Sequence, residues 1–371
     1  NLNGIEDFSK NSRWTNAFKI SDYMVQNCTF PTTITFLFFI FLMYQIYTTS
    51  IWHPFLTHKK GRDDIFYYIY IVAFFSEQTD LASANSGNDF TIQFIVFTVL
   101  FVISLISLLY AFASFKITRQ MNSLVIYFVR LTHEYVGIII IYPISSLAGQ
   151  ICYKIININE FYDSGANDEN SIPGLSILAF VLLLIYLIYF IFVTTFFYGA
   201  SSASVYIDHS YFMNYDQFYF RIFLLLNAAI IFLQPLLMGI ENWGFLSVVV
   251  FHLIIVIYEI IQQTYLPFQF AFSNIIFSGI LYAMIAQNIF VAIVYMFFID
   301  LERKWLIIVY AAILVVSIII SSIVYSQLKS RKEKKLFYNG KTNTVMGIKV
   351  NSDNIRLTDE EKVERFSQMK L

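Results

Sequence analysis

Between Ile172 and Phe197 the chain runs through Leu178–Phe192 (LAFVLLLIYLIYFIF) without one charged residue. An α-helix needs about 20 apolar residues to cross about 30 Å of hydrocarbon. Roughly nine stretches of this kind fill the chain from Phe30 to Tyr325, with short polar loops between them. Backbone in hydrocarbon has to satisfy its own hydrogen bonds, which a helix does within one segment. The expected fold is therefore all-α: a polytopic transmembrane helical bundle of about nine spans with a cytosolic helical tail.

Composition supports the same class. Apolar residues make up 58% of the chain and charged ones 13%, which excludes a soluble core with a water-facing shell. The net charge of −1 averages over two sides of a membrane, so it points to no particular partner and to no nucleic acid. Interfacial aromatic belts account for some of the 26 Tyr and 40 Phe, and a bias towards A/T-rich codons for the rest. The chain opens at Asn1 with no signal peptide and reaches Leu371 inside a growing helix, so it reads as a piece of a longer protein.

The expected spans are Phe30–Tyr47, Asp64–Leu81, Thr91–Phe115, Ser123–Cys152, Gly174–Tyr198, Phe218–Gly239, Trp243–Tyr265, Ala271–Ile299 and Lys304–Ser326. They divide the chain into an extramembrane segment (1–29), the bundle (30–326) and a cytosolic stalk leading into a helical region (327–371). The second span is firmly apolar only from Ile65 to Phe75. The fourth is too long for one straight crossing. Its Ser123–Thr132 part is expected in the interface, with the crossing starting near Glu134 and a kink at Pro143, where proline removes a backbone hydrogen bond.

Lys329, Arg331, Lys332, Lys334 and Lys335 follow the last span, so the positive-inside rule puts the tail in the cytosol, most simply at the plasma membrane. Nine spans then put the amino terminus outside. If the second stretch does not cross, the amino terminus moves inside and Lys59, Lys60 and Arg62 move out. Charge counting leaves both arrangements open, and nine is preferred because Ile65–Phe75 needs somewhere to hide its apolar surface. In that arrangement Asn27-Cys28-Thr29 is an external N-glycosylation pattern. Cys28 and Cys152 both fall at external span ends, as a disulfide or as two free thiols.

Ionisable groups in lipid are costly and usually face a partner or a cavity. Arg130, His133 and Glu134 stand at i, i+3 and i+4, on one helix face, as an interfacial ion pair or a substrate or proton site. His252 and Glu259 lie two turns apart on one face of Trp243–Tyr265, as bundle packing or an ion path. Asn227, Gln234, Asn274, Gln287 and Asn288 are expected to bond between helices. Asp208, His209 and Asp216, in a Ser/Tyr-rich loop that reads as solvated, supply too few ligands for a metal. The phosphate loop, H-E-x-x-H, C-x-x-C, G-x-S-x-G, G-x-x-x-G, a potassium filter and an arginine ladder are all missing from the sequence. No catalytic residue, metal site or cofactor is expected, and Ser317/Ser321 is a generic small-xxx-small pair.

From Lys304 the pattern continues without Gly or Pro to Leu336, which predicts one helix continuing beyond the membrane. Tyr338-Asn339-Gly340-Lys341 ends it, Val345–Val350 suits a short strand, and Thr358-x-x-Glu361 is a capping box opening a further helix. The aromatic-rich spans, the Tyr265-Leu266-Pro267-Phe268 loop before a long span, and the exit helix running into Thr358–Leu371 together resemble the membrane region of the tiny-macrocyst-type proteins of ciliates and trichomonads. The resemblance implies a multi-pass receptor part, with PAS and adenylate/guanylate cyclase domains in some members lying outside this stretch. Three readings follow. One is a sensor that passes a signal through its last helix to a cytosolic domain or partner helix. The second is a transporter or channel using Arg130, His133, Glu134, His252 and Glu259. The third is a lipid- or partner-binding scaffold without a switch. The bilayer is a partner in all three, and a homo-oligomer is compatible with each.

Overall fold

The computed structural model describes residues 13–51, 69, 72–75, 87–118, 120–156, 173–203, 212, 217–238, 244–268, 270–297, 303–337, 344–345 and 348–349. The chain divides into two compact units, Asn1–Ser321 and Ser322–Leu371.

The first unit is a helical bundle. A short helix, α1 (Arg13–Asn27), buries Ile20 and Met24 and leaves Lys19 and Gln26 exposed. It packs on two of the long helices that follow: α2 (Thr32–Ile51), α3 (Gly87–Thr118), α4 (Ser123–Ile156), α5 (Pro173–Ala203), α6 (Gln217–Met238), α7 (Gly244–Gln263), α8 (Ala271–Met296) and α9 (Arg303–Phe337). Among the described residues seven helices are long and apolar enough to cross a membrane; α6 carries a shorter apolar stretch, Arg221–Leu237. This is the all-α polytopic bundle that the sequence leads one to expect.

Local chemistry sets the helix ends. Asn122 caps α4 by accepting from the Leu124 N–H at 2.9 Å. Pro173 opens α5, where its missing N–H costs nothing. Within α4 the turn Leu131–Val136 is a π-helix, flanked by α-helix at Ser123–Arg130 and Gly137–Ile156. Gly137 sits beside this wide turn because a Cβ there would lie 2.4 Å from Thr194 Oγ1, and Thr194 donates to the His133 carbonyl at 2.8 Å. Further along, Pro143 has no N–H to offer the Ile139 carbonyl four residues back. Gln45 of α2 supplies it instead, donating from Nε2 at 3.0 Å.

The cross-helix contacts fix the direction of every long helix. Phe30 meets Tyr127, Phe38 meets Tyr135 and Gln45 meets Ile139, so α2 and α4 run parallel. Phe36 meets Phe272 and Ser50 meets Gln287, so α2 and α8 also run parallel. Thr98 meets Tyr186 and Ser104 meets Tyr189, aligning α3 with α5. Phe245 meets Tyr295 and Gln263 meets Ser278, setting α7 against α8. Phe290 meets Tyr310 and Gly279 meets Ile318, setting α8 against α9. All of these agree with strict alternation from α2 to α9.

Since α2 and α4 are parallel with α3 between them, the end of α2 and the start of α3 lie at one face of the bundle. Of the expected span Asp64–Leu81 only residues 69 and 72–75 are described, and they form no crossing helix. Its described part shows where the apolar surface goes. Ala73 and Phe74 are buried, the Ile69 carbonyl accepts from Tyr44 Oη at 2.7 Å, and the Ala73 carbonyl accepts from Gln45 Nε2 at 2.8 Å. Phe75, with a left-handed φ of 54°, stacks on Phe41. Tyr44 and Gln45 of α2 thus hold this piece by its carbonyls, while Val72 and Phe75 remain exposed.

The loop after α5 is not uniformly solvated either. Phe212 is fully buried against Phe39 and Tyr135. Between α7 and α8, Leu266 has a φ of 50° and Phe268 is buried. Asn274 was expected to bond between helices. It ties this loop instead, donating to the Phe268 and Phe270 carbonyls at 2.6 and 3.0 Å and accepting from the Phe268 N–H.

In the second unit the described residues are the carboxyl-terminal part of α9 and two short strands, β1 (Thr344–Val345) and β2 (Ile348–Lys349). The strands pair antiparallel, Thr344 with Lys349 and Val345 with Ile348. The single strand expected over Val345–Val350 is thus a minimal hairpin. The capping box at Thr358 lies outside the described residues.

Candidate functional site

The five ionisable residues singled out in the sequence fall into four sets of partners. Arg130 and Glu134 form a bidentate ion pair, Nε to Oε1 at 2.9 Å and Nη2 to Oε2 at 2.7 Å, with both side chains almost wholly enclosed. The remaining guanidinium nitrogen, Nη1, donates to the Cys28 carbonyl, and the cation lies 5.3 Å from the Phe30 ring centroid. A planar fork matched to a carboxylate is the geometry in which a buried pair is most favourable. Here it clamps the turn between α1 and α2 onto α4.

His133 does not share that pair. In the π-turn its ring faces α3 and α5. Nδ1 lies 2.7 Å from the Val129 carbonyl, which can only accept, so Nδ1 carries the hydrogen. Nε2 is 2.8 Å from Ser104 Oγ and 3.1 Å from Tyr189 Oη, and those two hydroxyls are 3.1 Å apart. Phe197 stacks on the ring at 5.5 Å. The result is a closed triangle of polar groups, each occupied by the other two.

Glu259 is differently placed. It is buried on α7 at the junction with α4 and α6. Asn227 of α6 donates to its Oε1 at 2.6 Å, and also to its own Phe223 carbonyl at 3.0 Å. Among the described residues Oε2 has no hydrogen-bond partner, and neither does the fully buried Tyr142 hydroxyl of α4, which lies within electrostatic reach of Glu259. Two turns along α7, His252 meets Asn288 of α8. On α6, Gln234 is also buried, with Nε2 unpartnered. Gln287, beside Asn288, looks the other way: it donates to Tyr47 Oη at 2.5 Å and accepts from Ser50 Oγ. Tyr47 in turn donates to the Tyr310 carbonyl at 3.2 Å, so this network joins α2, α8 and α9.

The cysteines are placed otherwise than expected. Cys28 sits beside Arg130, whereas Cys152 is 22 residues further along α4, about 33 Å at 1.5 Å per residue. They stand at opposite ends of the bundle, and no disulfide joins them. Asn27 is exposed at the end of α1, its Nδ2 donating to the Tyr23 carbonyl at 2.7 Å. Among the described residues no group of three His, Cys, Asp or Glu could hold a metal ion; Asp208, His209 and Asp216 lie outside them.

Sequence reasoning missed Gln45, Ser104, Tyr142, Tyr189 and Thr194. Gln45 had a usable signal: Pro143 announces an orphan carbonyl, and a lone amide in an apolar span is suited to satisfy it. The hydroxyls had none, because Ser, Thr and Tyr occur throughout these spans.

Compared with known protein families, curated proteins and solved structures, the chain matches none. The fold and its polar interior define an integral membrane protein of the multi-pass helical class.

Proposed function

We propose that this bundle is the membrane module of a signalling receptor, with α9 as the element that carries a change in packing onward. The observation that carries this reading is α9 itself: 35 residues of unbroken helix from Arg303 to Phe337. On the bundle side it is held at a few points. Ser321 Oγ donates to the Ile275 carbonyl at 2.6 Å, Gly279 brings the α8 and α9 backbones together, and Tyr47 bonds to Tyr310. A ligand that binds two packings of α2 and α8 unequally would shift their populations, and α9 would move with them. The tiny-macrocyst resemblance is consistent with this and supplies the kind of output domain to look for.

The end bearing α1, the α3–α4 turn and the exit of α9 is assigned to the cytosol. Counted from the sequence, that side has eleven Lys/Arg near the membrane (Lys10, Arg13, Lys19, Lys116, Arg119, Arg221, Lys329, Arg331, Lys332, Lys334, Lys335). The other side has six (Lys59, Lys60, Arg62, Lys154, Arg303, Lys304). The amino terminus is then cytosolic and Asn27 unglycosylated. Single cysteines at exposed positions test this, in a background with Cys28 and Cys152 replaced by serine. An impermeant maleimide added to intact cells should label Ile156→Cys and spare Gln120→Cys; the reverse pattern overturns the assignment.

The signalling reading is tested by the complete coding sequence and by helix phase. A cyclase, kinase or comparable domain after Leu371 is expected, and inserting one to four alanines after Gln327 should vary its output with the helical period. Output indifferent to phase, or a stop soon after Leu371, removes the reading. Transport is the second reading, favoured by one observation: Glu259 leaves a carboxyl oxygen unpartnered inside the bundle.

A further inference from the structure

Glu259 lies among α4, α6 and α7, and the groups that face it can be named. Asn227 comes from α6 and Tyr142 from α4. Along α7 itself, His252 is two turns away and turned to Asn288, and Gln263 is one turn away, accepting from Ser278 of α8 at 3.2 Å. On the α8 side Phe277 packs on Phe223, their rings 4.8 Å apart, with Phe268 beyond. Arg130 is committed to Glu134, and Arg221 is exposed at the start of α6. No cationic side chain among these contacts answers the Glu259 carboxyl.

An ionised carboxylate in this setting is costly. One hydrogen bond from an amide does not offset that cost, and Oε2 has not even one. A metal ion is a poor match, since Asn227 presents N–H rather than oxygen to the carboxyl and Tyr142 adds a single hydroxyl, well short of the six or so oxygens a hard cation takes. A proton needs one oxygen and no cavity, which is what the enclosed Oε2 offers. Tyr142 is a group able to read the difference: its hydroxyl, likewise unpartnered among the described residues, lies within electrostatic reach and can accept from a carboxylic acid or donate to a carboxylate.

We propose that Glu259 is a proton-binding site, and that Tyr142 and Asn227 couple its state to the packing of α4, α6 and α7. On binding, a proton from water forms an O–H bond at Oε2 and the side-chain charge goes from −1 to zero. On release the proton returns to water. The carboxylate left behind is stable only if the junction opens to water, so proton release favours a looser packing. The proposal extends beyond the signalling reading and does not depend on it, because the proton can be read without any output domain.

Infrared difference spectra of the whole chain in lipid nanodiscs, between acid and alkaline pH and in water and heavy water, test it. The expected result is a protonated-carboxyl C=O band that titrates, shifts in heavy water, disappears in Glu259→Gln and changes frequency in Tyr142→Phe. A titrating band unchanged in both variants, or no such band at any pH, overturns the proposal. Should Glu259→Gln fail to fold, Tyr142→Phe decides alone, since a structural tyrosine would leave the carboxyl frequency where it was. Failure here would leave α9 and the signalling reading untouched, whereas phase-independent output would leave the proton site untouched.

Discussion

Two of the described glutamates are buried in this bundle, and they are handled in opposite ways. Glu134 is met by a guanidinium on both oxygens, and the arginine's remaining nitrogen is tied to the Cys28 carbonyl. Glu259 has an amide on one oxygen and, among the described residues, nothing on the other. The first arrangement is complete and holds three pieces of chain together. The second is incomplete, and a carboxyl left so inside a membrane is free to change state. Charge in an apolar span is thus a weak guide by itself; what matters is whether its hydrogen-bonding capacity is filled.

The strongest way to break this comparison is to remove one half of the filled pair. Glu134→Leu should cost about 3–5 kcal/mol, because it strands a buried guanidinium. The double change Arg130→Met/Glu134→Leu should recover much of that, since an apolar pair of similar volume is often tolerated. Unfolding midpoints in detergent read both. A double variant no better than the single would mean that Arg130 matters through Cys28 and Phe30 rather than through Glu134.

Part of this was legible in the chain. The i, i+4 spacing announced the Arg130–Glu134 pair, and the apolar runs announced the helices. It did not announce that His133 would turn away, because the π-turn that rotates it depends on Gly137 and Thr194 meeting across α4 and α5. Hydropathy marked 65–75 as apolar but could not tell that the Ile69 and Ala73 carbonyls would be met by Tyr44 and Gln45. Nor could it give helix register. That Asn227 lies level with Glu259, or Cys28 with Arg130, is settled by packing between segments 32 and 102 residues apart.

Next in size is the close contact of α4 with α6. A Cβ at Gly149 would stand 2.3 Å from the Phe232 carbonyl oxygen, a backbone atom that cannot rotate away. Gly149→Ala should cost about 1–3 kcal/mol by overpacking. Because α4 carries Tyr142 and α6 carries Asn227, it should also disturb the Glu259 carboxyl band. Gly137→Ala should cost less, since the atom it meets is a threonine hydroxyl at the end of a side chain. Equal costs would show that α4 and α6 do not approach backbone to backbone.

Gln45 tests whether satisfaction, rather than charge, is what the bundle requires. Gln45→Leu leaves the Ile139 and Ala73 carbonyls without that donor and should cost about 1–3 kcal/mol, the usual penalty for an unsatisfied buried polar group. Pro143→Ala restores an N–H where Ile139 needs it. In that background the cost of Gln45→Leu should fall, leaving the Ala73 share. A cost that does not fall would separate Gln45 from the proline altogether.

The smallest effect is the most telling for the comparison. If the described packing holds Glu259 as the neutral acid, Glu259→Gln replaces it with a neutral group of the same shape. Only its bond with Asn227 is altered, and hydrogen bonds between membrane helices average about 0.6 kcal/mol. The shift in unfolding midpoint should therefore be small, while Glu134→Gln, which leaves Arg130 charged and unpaired, should approach the loss seen for Glu134→Leu. The same substitution at two buried glutamates would then give two different outcomes, set by their neighbours and not by depth. Comparable losses at both positions would mean that Glu259 is held as a carboxylate by a partner opposite Oε2, and the distinction between the two sites would collapse.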